Sequence, residues 1–95
     1  MSIKTFAHKG LEELFCNGKS GKIGREYHER VTMILDALDG ATCADDLQGA
    51  DGFHRLKGKR KKDYAMKASG NMRVTFRFEQ GDKGDILNVN FEDYH

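Results

Sequence analysis

The heptapeptide Met72-Arg73-Val74-Thr75-Phe76-Arg77-Phe78 constrains the fold more than any other stretch of this chain. Its apolar side chains fall at every second position, with Arg73, Thr75 and Arg77 between them. A period of two sends alternate side chains to opposite faces of an extended strand. The face built from Met72, Val74, Phe76 and Phe78 therefore needs an apolar cover, while the face with two arginines suits water or a polar ligand. The cover is visible upstream. Tyr27, Val31, Ile34, Leu35 and Leu38 recur as a helical stripe, with Glu26, Glu29, Arg30 and Asp36 on the other side. Gly40 is placed to stop this helix as a left-handed terminator. His28, one position off the stripe, reads as a solvated helix residue.

The remaining pattern fits the same scheme. Residues 2–6 read as a short first strand, and Ala7, Leu11, Leu14 and Phe15 predict a helix over about 8–17. Residues 17–24 form a glycine-rich break containing Gly18-Lys19-Ser20. A phosphate-binding loop would need a glycine where Glu13 stands and a strand in front of it, so this break reads as a helix–helix connection. Residues 41–52 are a polar connection with a helical turn around Ala44–Leu47. Tyr64, Met66 and Ala68 alternate in a strand, Ser69-Gly70-Asn71 supplies turn chemistry, and residues 80–85 make a second turn. Leu87, Val89 and Phe91 alternate in a last strand. Helices followed by strands joined through short turns predict an α+β fold with an antiparallel sheet. At 95 residues the chain is expected to form one domain over 1–95.

Charge is distributed unevenly. The net charge is +1, but residues 1–52 carry −3, residues 53–78 carry +8 and residues 79–95 carry −4. A concentrated basic segment can engage a polyanion even when the whole protein is near neutral. Arg73 and Arg77 share one strand face and lie close in sequence to the run that contains Arg55, Lys57, Lys59, Arg60, Lys61 and Lys62. Two readings of this surface remain open: arginines paired with neighbouring acids, or a cationic track for a phosphate backbone. No apolar run approaches the roughly 20 residues of a membrane span, and the N-terminal residues lack a signal-like stretch, so a cytoplasmic protein is expected. Cys16 and Cys43 lie far apart and are expected to be reduced. With His8, His28, His54 and His95 they do not make metal-ligand spacings, so neither metal nor cofactor is expected.

The groups able to move protons cluster around the basic segment. His54 opens it, and Glu92-Asp93-Tyr94-His95 follows the last strand. Two imidazoles, a phenol and a carboxylate beside arginines and lysines are the inventory of metal-free RNA cleavage. A base takes the ribose 2′-hydroxyl proton, the oxygen attacks the adjacent phosphate, an acid protonates the leaving 5′-oxygen, and cations stabilise the developing charge. Histidine suits the proton transfers because its pKa lies near neutrality.

Several blocks together resemble the HigB-type toxins of the RelE-like toxin–antitoxin proteins. They are Ile3-Lys4-x-Phe6-x-His8-Lys9-Gly10-Leu11, His54-x-Leu56-Lys57-Gly58, the frame from Asn71 through Phe78, Gly81-Asp82, and Glu92-Asp93-Tyr94-His95. The resemblance implies a RelE-like fold, with two N-terminal helices on a curved antiparallel sheet, and cleavage of messenger RNA on the ribosome. It implies a cognate antitoxin with a helix-turn-helix domain, through which alone the toxin would reach operator DNA. It assigns catalytic roles to His54, Asp93, Tyr94 and His95, and phosphate contacts to Lys57 and Arg73. Which histidine is base and which is acid stays open. Four departures stand out: Met72 where the family commonly has tryptophan, Arg55 for proline, Lys59 for an acid, and a longer turn over 79–85. The alternative is a RelE-like protein that holds RNA or the ribosome, cuts poorly, and acts mainly in an antitoxin repressor complex.

Overall fold

The computed structural model describes residues 2–93. The first helix, α1 (Lys9–Asn17), begins at His8, whose Nδ1 accepts the backbone N–H groups of Gly10 at 3.0 Å and Leu11 at 3.4 Å. This satisfies donors that a helix start otherwise leaves unpaired. It ends at Gly18, which takes a left-handed φ of 78° and donates its N–H to the Leu14 carbonyl at 2.9 Å. The second helix, α2 (Arg25–Gly40), buries Val31, Ile34, Leu35 and Leu38 as the stripe predicts. Gly40 does not end it in the expected way. It remains the last helical residue, and Ala41 turns the chain into extended backbone.

His28 also differs from its reading as a solvated residue. Its Nε2 lies 2.8 Å from the Ile23 carbonyl and 3.1 Å from the Ser20 carbonyl, so the ring ties α2 to the connection before it. In that connection the Ser20 hydroxyl donates to Glu13 at 2.8 Å and accepts the Lys22 N–H at 3.1 Å. A hydroxyl committed to a carboxylate is no phosphate cradle, and the segment is a helix–helix link.

The sheet has four antiparallel strands in sequential order: β1 (His54–Arg55), β2 (Asp63–Lys67), β3 (Met72–Phe78) and β4 (Ile86–Asp93). Single 3-10 turns cover Ala44–Leu47 and Gly58–Arg60. The expected strand over residues 2–6 is reduced to two isolated parallel bridges beside β4, Ile3 to Ile86 and Phe6 to Val89. The break has a local cause. Between Thr75–Asn90 and Arg77–Leu87 the β3–β4 register slips by one residue, with Asn88 at φ 57°. Asparagine is among the few residues that tolerate this left-handed conformation, and the extra residue interrupts regular pairing. Thr5 Oγ1 accepts the Asn88 N–H at 2.8 Å.

The slip also corrects the pattern read for β4. Ile86 is fully buried, whereas Leu87 lies opposite Arg77 and is only partly buried. Val89 keeps its expected inward position. The core lies between the helices and the inner sheet face, where Leu11, Leu14, Leu35 and Leu38 join Val74, Phe76, Ile86 and Val89. The turn after β3 packs on residues 42–44 through Ala44 N–H to Asp82 O at 2.7 Å and Gly84 N–H to Thr42 O at 3.0 Å. No described helix is long and apolar enough to cross a membrane.

Candidate active site on the open sheet face

Strand register lays out the face turned away from the core. His54, Ala65, Thr75 and Asn90 form a central row, flanked by Lys67–Arg73–Glu92 on one side and Asp63–Arg77–Leu87 on the other. The segment after β1 contributes Lys57 and Arg60 to a hollow of about 280 Å³, whose walls include Arg73, Thr75, Glu92 and Asp93.

His54 is positioned by a tight approach of the chain to β2. Gly52 has φ 70°, and a Cβ there would lie 2.5 Å from Lys67 Cβ and 3.0 Å from its backbone nitrogen. Only glycine fits that geometry without displacement. The approach is held by Lys67 N–H to Asp51 O at 3.1 Å, by Arg30 Nε to Lys67 O at 3.2 Å, and by an Arg30–Asp51 ion pair at 3.1 Å. His54 Nδ1 lies 2.8 Å from the Gly52 carbonyl. A carbonyl only accepts, so Nδ1 carries the hydrogen and the neutral ring has its lone pair on Nε2.

The electrostatics of the face centre on Arg60. It reaches across the sheet to grip both Glu92 carboxylate oxygens at 2.7 Å, and its Nε donates to Asp63 at 3.1 Å. Arg77 Nε donates to the other Asp63 oxygen at 2.9 Å, and the Thr75 hydroxyl donates to Glu92. Paired charges are thus alternated across β2, β3 and β4, with the two-pronged geometry that guanidinium and carboxylate favour. The Arg60 fork, helped by Thr75 and opposed by partial burial, holds the Glu92 carboxyl below its ordinary value of 4.5. A carboxyl depressed on folding adds stability above its unfolded pKa, and that stability is lost as pH falls through the folded value. Thermal unfolding between about pH 5 and pH 3 should therefore show a steeper loss for wild type than for Glu92→Gln. Parallel losses would contradict the assigned cause.

Lys57, Arg60, Arg73 and Asp93 meet around the hollow, and His54 and Arg77 lie elsewhere on the same face. Arg73 Nη1 donates to the carbonyls of Ser69 at 2.8 Å and Met72 at 3.0 Å, bracing the β2–β3 turn beside the hollow. Asp93 pairs in register with Met72 and accepts Asn71 Nδ2 at 3.4 Å. Lys59 is exposed on its 3-10 turn and does not line the hollow. Tyr94 and His95 lie outside the described residues. Of the two readings of the arginine surface, acid pairing describes Arg60 and Arg77, although both side chains keep more than a third of their surface exposed. Glu92, Thr75 and Asp63 are participants that sequence reasoning missed. The outward position of Thr75 in the alternating heptapeptide was the one available signal.

Residues 4–95 match the profile of the HigB-like toxin family, described as a RelE-like toxin of the type II toxin–antitoxin system HigB. The chain belongs to the HigB-like toxin family. This HigB-like chain is 36% identical over 94 residues to the Endoribonuclease HigB of Proteus vulgaris, covering 98% of this chain and 99% of that protein. Solved structures support the RelE-like fold. The YoeB dimer from Staphylococcus aureus aligns with TM-score 0.62 at 14% identity, and the YoeB–YefM complex from the same organism with TM-score 0.59 at 13% identity. Each alignment covers 100% of this chain and 99% of the other. The α+β arrangement read from the sequence is borne out.

Proposed function

We propose that this HigB-like toxin is an endoribonuclease that cuts messenger RNA on the ribosome by metal-free acid–base catalysis. The observation that carries the reading is the placement of His54, with its Nδ1 on the Gly52 carbonyl, on the same sheet face as the cationic hollow. The family and the similarity to an enzyme named Endoribonuclease HigB support the same activity. His54 and His95 serve as the base–acid pair, in either order. Lys57 and Arg73 contact the scissile phosphate, Asp93 tunes a neighbour, and Tyr94 stacks on or hydrogen-bonds the substrate. Lys59 adds positive potential along the RNA path, and Arg60 and Arg77, though paired with acids, offer it their exposed guanidinium edges. The toxin forms one domain, acts in the cytoplasm, and is neutralised by a helix-turn-helix antitoxin that alone brings it to operator DNA.

The chemistry fixes the products. Attack by the 2′-hydroxyl oxygen on phosphorus expels the 5′-oxygen, so the upstream fragment ends in a 2′,3′-cyclic phosphate and the downstream one in a 5′-hydroxyl. Purified toxin is expected to give these ends from a translated message with ribosomes present, and little cutting of the same message without them. Ends bearing 5′-phosphate would overturn the 2′-hydroxyl mechanism. Equal cutting without ribosomes would overturn ribosome dependence. Ribosome association with no cutting would favour the alternative of a catalytically weak binding protein.

A further inference from the structure

Beyond the hollow, the end of the sheet where β2 begins and β3 finishes holds a second cleft. It has a volume of about 480 Å³ and is lined by three cations, Arg55, Lys62 and Arg77. We propose that this cleft binds an RNA phosphodiester other than the one held in the hollow. The proposal rests on the reading that RNA crosses this surface, and it adds a site outside the catalytic group.

Three observations carry it. The cleft retains positive charge. Arg55 and Lys62 have no ion-pair partner among the described residues, unlike Lys4, Lys22, Arg30, Arg60 and Arg77. Glu79, the acid lining the cleft, is already held by Lys4 at 3.0 Å. The Arg77 bond to Asp63 uses Nε, and the side chain remains 38% exposed.

The cations are also pre-positioned. The Arg55 guanidinium lies over the Tyr64 ring, 5.3 Å from its centroid, while Tyr64 itself stacks on Phe53 and Phe76. An aromatic face orients an arginine without neutralising its charge, so less freedom is lost when a phosphate arrives. The cleft also borders the same strand as the hollow. Arg73 borders one and Arg77 the other, four residues apart on one strand face, or about 13 Å. A single-stranded backbone running along β3 would present phosphates of the same strand to both.

A contact remote from the reacting phosphate strengthens ground state and transition state alike, so its loss raises KM and spares kcat. The test compares Arg55→Gln/Lys62→Gln with wild type, and with Lys9→Gln/Lys19→Gln as a control for net charge. One arm titrates salt against binding of a labelled single-stranded oligoribonucleotide. The other titrates salt against co-sedimentation with ribosomes. Loss of slope by about 0.7 per cation removed, with the control unchanged, is expected in at least one arm. Loss in the oligonucleotide arm assigns the cleft to the message strand, and loss in the ribosome arm alone assigns it to ribosomal RNA backbone. Lys62→Gln by itself keeps the test valid if replacing Arg55 disturbs folding, because Lys62 is an exposed side chain. Wild-type slopes for the double variant in both arms would overturn the proposal. A wild type that never cuts RNA would sink the endoribonuclease reading instead, and the salt slopes would still decide the cleft.

Discussion

Replacing His54 with alanine is expected to slow single-turnover cleavage of ribosome-bound message by about 10²–10⁴-fold, the usual contribution of a positioned acid or base. Binding should change much less, because the cations around the hollow are untouched. The fold should survive as well. His54 is partly exposed, and its hydrogen bond to the Gly52 carbonyl is worth about 1 kcal/mol. Circular dichroism and a near-wild-type unfolding midpoint would separate lost chemistry from lost structure. An unchanged cleavage rate in a folded His54→Ala protein would remove this histidine from the reaction.

Phe76→Ala should be the most damaging single truncation of the core. The ring is 1% exposed and lies within an aromatic group, with centroids 6.0 Å from Tyr64, 5.9 Å from Phe78 and 6.4 Å from Phe53. Emptying such a site removes buried apolar area and leaves a cavity, at a cost of about 3–5 kcal/mol. A domain of this size holds only about 5–15 kcal/mol in total. The midpoint of thermal unfolding should fall by roughly 15–30 °C, and growth arrest by the expressed protein should weaken with it. Met33→Ala provides the contrast. Met33 is 59% exposed, and its loss should change stability by no more than about 0.5 kcal/mol. A Phe76→Ala protein as stable as Met33→Ala would mean that the aromatic group does not hold the sheet to its cover.

The elements that the sequence exposed are those whose pattern is complete within one segment. The β3 alternation and the α2 stripe each carry four or five apolar positions in a single period, so local order already states which side must be buried. Elements that exist through pairing were hidden. Strand β1 is two residues long and is defined by His54 and Arg55 meeting Ala65 and Tyr64. The exchange of Leu87 for Ile86 on the inner face follows from the slip at Asn88, which depends on where β3 lies.

The candidate site divides in the same way. His54, Lys57 and Arg73 could be picked out because their residue types suit RNA chemistry and because the surrounding blocks resemble a known family. Glu92 could not, since its role arises from Arg60, 32 residues earlier in the chain. The Arg60–Glu92 and Arg77–Asp63 pairs likewise span 32 and 14 residues, so charge counting along the sequence could not separate these arginines from Arg55 and Lys62, which have no ion-pair partner among the described residues.

The most direct test of the account is induced expression in a bacterium of the wild-type chain beside His54→Ala, recording growth and mapping messenger RNA 5′ ends. Growth arrest with new in-frame 5′ ends is expected for wild type, and neither for the variant at equal protein level. Equal arrest by both proteins without new 5′ ends would contradict it, placing toxicity in binding rather than in cleavage on the open sheet face.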